Sequence, residues 1–318
     1  MTHARSLALL SALALSSLSC TDSPEDHDHD HDTPTAFSLK FAAAAGGQVV
    51  GCTDTLTGLG PAGEHSVGIS DLRFYISNLR FYDAAGAEVE VTLDTNEFQY
   101  RSDAGEVALI DLTGTGEGSC ADSAIAFAEG TARVHDVITG TTHVDDVASV
   151  SFDVGVPQAL MKETIANNTA EGAPSPLAEM YWSWASGYRH FVFNFTIDAA
   201  GEPGEGYIHI GSGDCGAPGE LALEGRDACG RINTPTVTLD GFDLTADTVL
   251  LDIPAVLADL DFLVTILDPD TMEPIGEGPG VACHSGPSQP DCPPVFSAFS
   301  LDVTSGSTLA PAGVFTVM

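Results

Sequence analysis

Positive charge is what this chain lacks most: 10 Lys and Arg stand against 46 Asp and Glu, a formal net charge of −36. So acidic a surface repels phosphate backbones and anionic membrane faces, which excludes nucleic acid as a partner and favours cations. Aromatic residues are scarce at 7%, and the only tryptophans are Trp182 and Trp184. Helical periodicity is nearly missing; only Pro157 to Asn167 and Ala255 to Phe262 carry it, and both are brief. Among seven cysteines there is no Cys-x-x-Cys pair, which weakens any reading of them as thiolate metal ligands. No apolar stretch has the length of a transmembrane helix, the run Leu7 to Leu15 included.

What is present begins with an export signal. Residues 1–19 carry His3 and Arg5, the apolar run and the small residues Ser-Ser-Leu-Ser before Cys20, and read as a signal peptide. Cys20 is the expected lipidation site, although Leu18 stands two residues before it where lipoproteins usually place leucine three before. A diacylated Cys20 would hold the mature protein to a membrane face, periplasmic or at the outer-membrane or cell surface, by its lipid alone. Residues 20–35 are polar, acidic and punctuated by Pro24 and Pro34, a flexible tether in which His27, His29 and His31 alternate with aspartates and can gather metal ions weakly. Export also implies an oxidising compartment, so the six remaining cysteines should form three disulfides. Of the fifteen connectivities six cysteines allow, short loops favour Cys215–Cys229 and Cys283–Cys292, which leaves Cys52–Cys120.

Residues 36–318 read as one domain. Short apolar runs separated by Gly, Asp, Asn and Pro recur from Ser38 to Ile253, the pattern of an all-β antiparallel sandwich with long loops and one or two short helices. The densest aromatic stretch is Met180 to Phe195. In extended backbone Trp182 and Trp184 point the same way, Phe191, Phe193 and Phe195 face inward, and His190, Val192 and Asn194 face outward. After an acidic connection, Asp198 to Glu205, the run Gly206 to Ile210 buries Ile208 and Ile210 and turns Tyr207 and His209 outward. His190 and His209 are therefore expected on one outer face, within reach of a shared metal, and His284 is presented by the tight Cys283–Cys292 loop. A lone histidine is more often a hydrogen-bonded structural residue than a ligand; these three stand beside features that would fix their orientation.

Taken together and in order, five pieces resemble the MbnP-like family, the methanobactin-operon copper-binding proteins also called metallo-mystery pair four-Cys motif proteins. They are Asp71-Leu72-Arg73-Phe74-Tyr75-Ile76-Ser77, Val154-Gly155-Val156-Pro157, Trp182-Ser183-Trp184-Ala185-Ser186-Gly187-Tyr188, His209-Ile210-Gly211-Ser212 with Cys215, and Cys283 to Cys292 followed by Phe296. The resemblance implies a β-sandwich that binds copper and is the substrate, not the agent, of an oxidation. A diheme partner similar to cytochrome c peroxidases and MauG would convert Trp182 or Trp184 to kynurenine, with His190, His209 and His284 as protein ligands. Where many relatives carry Asn-His after the Gly-Val-Pro turn, this chain has Met161-Lys162, so a site built on that histidine is altered here. No complete catalytic constellation is visible, and the chain is not expected to be an enzyme. A different class of function, a Ca-stabilised adhesion or scaffold module, would draw on Asp268-Pro269-Asp270 and the acidic loops.

Overall fold

The computed structural model describes residues 33–114, 118–121, 134–143, 147–165, 172–183, 186–217 and 220–318. The expected signal peptide, Cys20, His27, His29, His31, most of the tether and Trp184 lie outside these residues. Among them, no helix is long and apolar enough to cross a membrane.

Strands dominate because β-branched and aromatic residues alternate with polar ones, a period that suits a pleated surface with one face buried. Among the described residues they form two sheets. The smaller runs Phe315–Val317, Thr248–Asp252, Thr35–Ala45, Val137–Thr142, Val91–Leu93; the larger runs Thr236–Asp240, Ser149–Val154, His65–Tyr82, Gly187–Ala199, Glu202–Gly211, Pro274–Cys283, Leu263–Leu267. The architecture is a sandwich-like all-β fold with few, short helices. Its sheets are mixed: Thr35–Ala45 runs parallel to Thr248–Asp252, and Glu202–Gly211 parallel to Pro274–Cys283. The second parallel pair matters here, since its later strand ends at Cys283, one residue before His284.

Phe191, Phe193 and Phe195 enter the main core with Leu72, Phe74, Ile208 and Ile210. Phe191 lies 6.1 Å from Phe74 and 4.9 Å from Phe299, ring centre to ring centre. Burying each such side chain contributes roughly 1.5–3 kcal/mol. A second apolar cluster on the outer face joins Tyr75, Val192 and Tyr188 to Leu160, Met161 and Ile165 of the helix Gln158–Ile165. Disulfides join Cys52 to Cys120, Cys215 to Cys229 and Cys283 to Cys292.

Two local features depart from the sequence reading. The connection expected over Asp198 to Glu205 is a two-residue turn, Ala200 and Gly201 both at positive φ, because the ladder continues to the pair Ala199 and Glu202. Side chains there are small or acidic, so no apolar alternation marked the strands. The hairpin Leu263–Leu267 with Pro274–Cys283 was likewise hidden, since Leu263, Ile266, Leu267 and Ile275 are exposed and its second strand carries three glycines.

Candidate metal centre

Strand register assembles the site on the outer face of the larger sheet. Val192 lies opposite Arg73 on one side and His209 on the other, while Asn194 lies opposite Asp71 and Tyr207. The parallel strand pairs Ile208 with Cys283, which carries His284 alongside His209. His284 is anchored by the Cys283–Cys292 bridge and by Gln289, whose Oε1 accepts from the His284 backbone N–H at 2.8 Å. The Ser285 hydroxyl accepts from the Gly211 N–H at 2.8 Å and donates to the His209 carbonyl at 2.9 Å, tying the loop to the strand.

The two imidazoles meet Nδ1 to Nδ1 at 3.0 Å, with ring centres 4.8 Å apart. Chemistry decides the protons. His209 Nε2 sits 2.7 Å from Asn194 Oδ1, an acceptor, so it carries the N–H and leaves a lone pair on Nδ1. The hydrogen bond across the pair is then donated by His284 Nδ1. Both rings are neutral at pH 7: burial, then the charges of Arg189 and His284, push the His209 pKa down to about 3, and burial followed by Arg189 lowers that of His284. His209 is only 2% exposed, whereas His284 is half-buried. Two uncharged imidazoles with a lone pair directed between them, one held in its tautomer by an amide, are a donor pair of the kind that could hold a metal ion. The donor set suits copper, for which imidazole is a preferred ligand. It is incomplete as it stands: among the described residues no group of three or more His, Cys, Asp and Glu could hold a metal ion.

Trp182 packs against the strand that carries His209. Its Cζ3 lies 2.8 Å from where a Cβ on Gly211 would stand, so the indole rests on bare backbone two residues beyond His209. The Arg189 guanidinium lies over the indole, 5.7 Å from Cζ to the ring centre. Arg189 was not singled out by sequence, Gly211 entered only within the His209–Ser212 motif, and Asn194 was placed on the outer face without a role.

His190 is brought elsewhere. A β-bulge sets Arg189 and His190 together against Gly211, so the register slips by one residue between Arg189 and Phe191. Simple alternation had put His190 beside His209; with the extra residue, it is Arg189 whose charge acts on both imidazoles and whose guanidinium covers Trp182. His190 is 0% exposed, with Nδ1 3.2 Å from the Asn233 carbonyl and Nε2 3.4 Å from the Ser212 hydroxyl. Those contacts engage both of its ring nitrogens. Met161 is also remote in role, its sulfur packed where a Cβ on Gly187 would be. In the segment considered for calcium, Asp268 Oδ1 closes its own turn by accepting from the N–H groups of Asp270 and Thr271, both at 2.9 Å.

Against known proteins, no curated protein matches the chain. Among solved structures, MbnP from Methylosinus trichosporium shares its fold with a TM-score of 0.68 at 24% identity, over 90% of this chain and 98% of that one. The family model for MbnP matches residues 34–273, which leaves His284 past its end although the strand that delivers it starts inside the fold's larger sheet. With three quarters of the sequence matched to that family and the sandwich reproduced, this chain belongs to the MbnP family.

Proposed function

We propose that this MbnP-family protein is an exported, lipid-anchored copper-binding protein that is matured by oxidation of one of its tryptophans and serves copper acquisition, storage or handling. His209 and His284 would hold the ion. The observation that carries this reading is their 3.0 Å Nδ1 to Nδ1 approach as neutral rings, with His209 two residues along the strand from Gly211, on which Trp182 rests. A pair of imidazoles alone is a sparse donor set, and Trp182 explains how it could be completed. Cleaving the indole C2–C3 bond turns C3 into a ketone and frees the ring nitrogen as an aniline, a side chain with new lone pairs. Two molecules of hydrogen peroxide, reduced to water by a diheme enzyme of the peroxidase class, take the four electrons and supply two oxygens. Hydrolysis then releases C2 as formate, so the residue loses one carbon and gains one oxygen. The protein is the substrate of that reaction and carries no catalytic site of its own.

Competitive copper titration of the matured protein tests the ligand assignment. Replacing His209 or His284 by Ala should weaken copper binding at least about tenfold, as loss of a direct ligand exceeds that of an outer partner. Unchanged affinity in both variants would sink the proposal, and a calcium-dependent rise in thermal midpoint without copper binding would favour the scaffold reading in its place.

A further inference from the structure

We infer that the hairpin of Leu263–Leu267 with Pro274–Cys283 is a docking edge, to which an extended segment of a basic partner protein adds as a further strand. Among the described residues ten large apolar side chains are exposed, and five of them, Leu263, Ile266, Leu267, Met272 and Ile275, stand on this one hairpin. Such residues scattered singly need no explanation, but gathered on one element they mark a contact surface. The ribbon is also thinly held by its own sheet. Pro274–Cys283 pairs with Glu202–Gly211 only from Gly280 to Cys283, so before Gly280 its ladder partner among the described residues is Leu263–Leu267 alone. A two-stranded ribbon is marginal in water, and a third strand is what stabilises it.

The outer edge is open to that strand. Leu263–Leu267 is terminal in the larger sheet, and Leu-Val-Thr-Ile-Leu contains neither a charge nor a proline, the residues that usually blunt an edge. The register slips only between Ile266 and Leu267, next to the turn. Glycines on the neighbouring strand let the apolar side chains lie flat: a Cβ on Gly278 would stand 2.8 Å from Ile266 Cδ1, and one on Gly280 closer still to Val264.

Charge selects the occupant. Asp261, Asp268, Asp270, Glu273 and Glu277 frame the apolar run, and no Lys or Arg follows Arg231 in the chain. Antiparallel pairing of two copies about Thr265 would match Leu263 with Leu267 but bring Asp268 of each copy toward Asp261 of the other, so a second copy is the weaker occupant. An anionic membrane face is repelled by the same carboxylates. A strand with an apolar centre and Lys or Arg at its ends satisfies the open ladder, the exposed side chains and the carboxylates together. The inference concerns a surface apart from the His209–His284 pair and does not depend on copper.

The probe is a synthetic peptide with a Val- and Ile-rich centre the length of Leu263–Leu267, flanked by lysine pairs and read by fluorescence anisotropy against the full exported chain. It should bind, more weakly as salt rises, while the same peptide with glutamate in place of lysine should not. Ile266→Asp and Leu263→Asp should each weaken binding at least about tenfold, and Leu309→Asp, at an exposed apolar residue elsewhere, should leave it unchanged. The aspartate variants add negative charge, so attraction by charge alone would hold or tighten binding in Ile266→Asp, and that result overturns the inference. Thermal midpoints report folding, and Ile275→Ser on the opposite strand gives a second, milder variant expected to weaken binding as well. Equal binding of the glutamate peptide also overturns it, as does self-association in sedimentation tighter than peptide binding, which would assign the edge to a second copy. Binding to vesicles of phosphatidylethanolamine and phosphatidylglycerol that Ile266→Asp abolishes would assign it to a lipid surface and overturn it too.

Discussion

The side chain that decides what His209 can do is Asn194. By accepting from Nε2 at 2.7 Å it leaves the lone pair on Nδ1, facing His284. Removing that acceptor should loosen the tautomer without removing a ligand, so Asn194→Ala is expected to weaken copper binding by less than either histidine variant does. His190 makes a separate prediction. Burial pushes its pKa down from 6.5 to about 4, outweighing the hydrogen bond to Asn233 that acts the other way. Between those pH values the unfolded chain binds more protons than the folded one, so stability is complete above about 6.5 and is lost as pH falls toward 4. The loss attributable to this group approaches about 3 kcal/mol. Thermal midpoints recorded across that window should fall more gently in His190→Gln than in the wild type; parallel curves would show that the buried ring does not govern acid stability.

Elements act through their ends. The strand Pro274–Cys283 matters to the site because its last residue is clamped to Cys292, nine residues on, and the next residue is His284. Closing so small a loop contributes roughly 2.5 kcal/mol, and closing one like Cys52–Cys120, separated by 68 residues, roughly 4 kcal/mol on the chain-entropy account. Cys52→Ser with Cys120→Ser should therefore lower stability more yet keep copper binding, whereas Cys283→Ser with Cys292→Ser should lower both; equal retention of copper by the two would show that the bridge does not hold His284. The partner hairpin strand, Leu263–Leu267, closes the larger sheet at an edge and exposes Leu263, Ile266 and Leu267. An apolar edge invites pairing with other chains. Ile266→Lys should reduce concentration-dependent association seen by light scattering, with no change in copper affinity.

At the scale of the whole molecule, a net charge of −36 is a field that reaches partners before any contact forms. A maturation enzyme with a basic docking face would be steered to it. The second-order rate of tryptophan oxidation should fall on the order of tenfold between low and physiological ionic strength, with the single-turnover rate unchanged. A salt-insensitive rate would mean that recognition is carried by contact alone. Beside the site, among the described residues, the buried Arg73 is paired with Asp71 at 2.6 and 2.7 Å.

Local sequence determined what depends on period and composition. Alternation placed Phe191, Phe193 and Phe195 in the core and turned Tyr207 and His209 outward, and the order of five motifs indicated the family. Strand pairing was beyond it, since a parallel partner 75 residues away is a long-range contact with no local mark, and only that pairing sets His284 against His209. The bulge at Arg189 and His190 was equally silent: one extra residue reverses which side chain reaches a face, and nothing in the order Tyr-Arg-His-Phe records where the insertion falls. The composition of the site was therefore written along the chain, while its membership was settled by register, a property of two strands together.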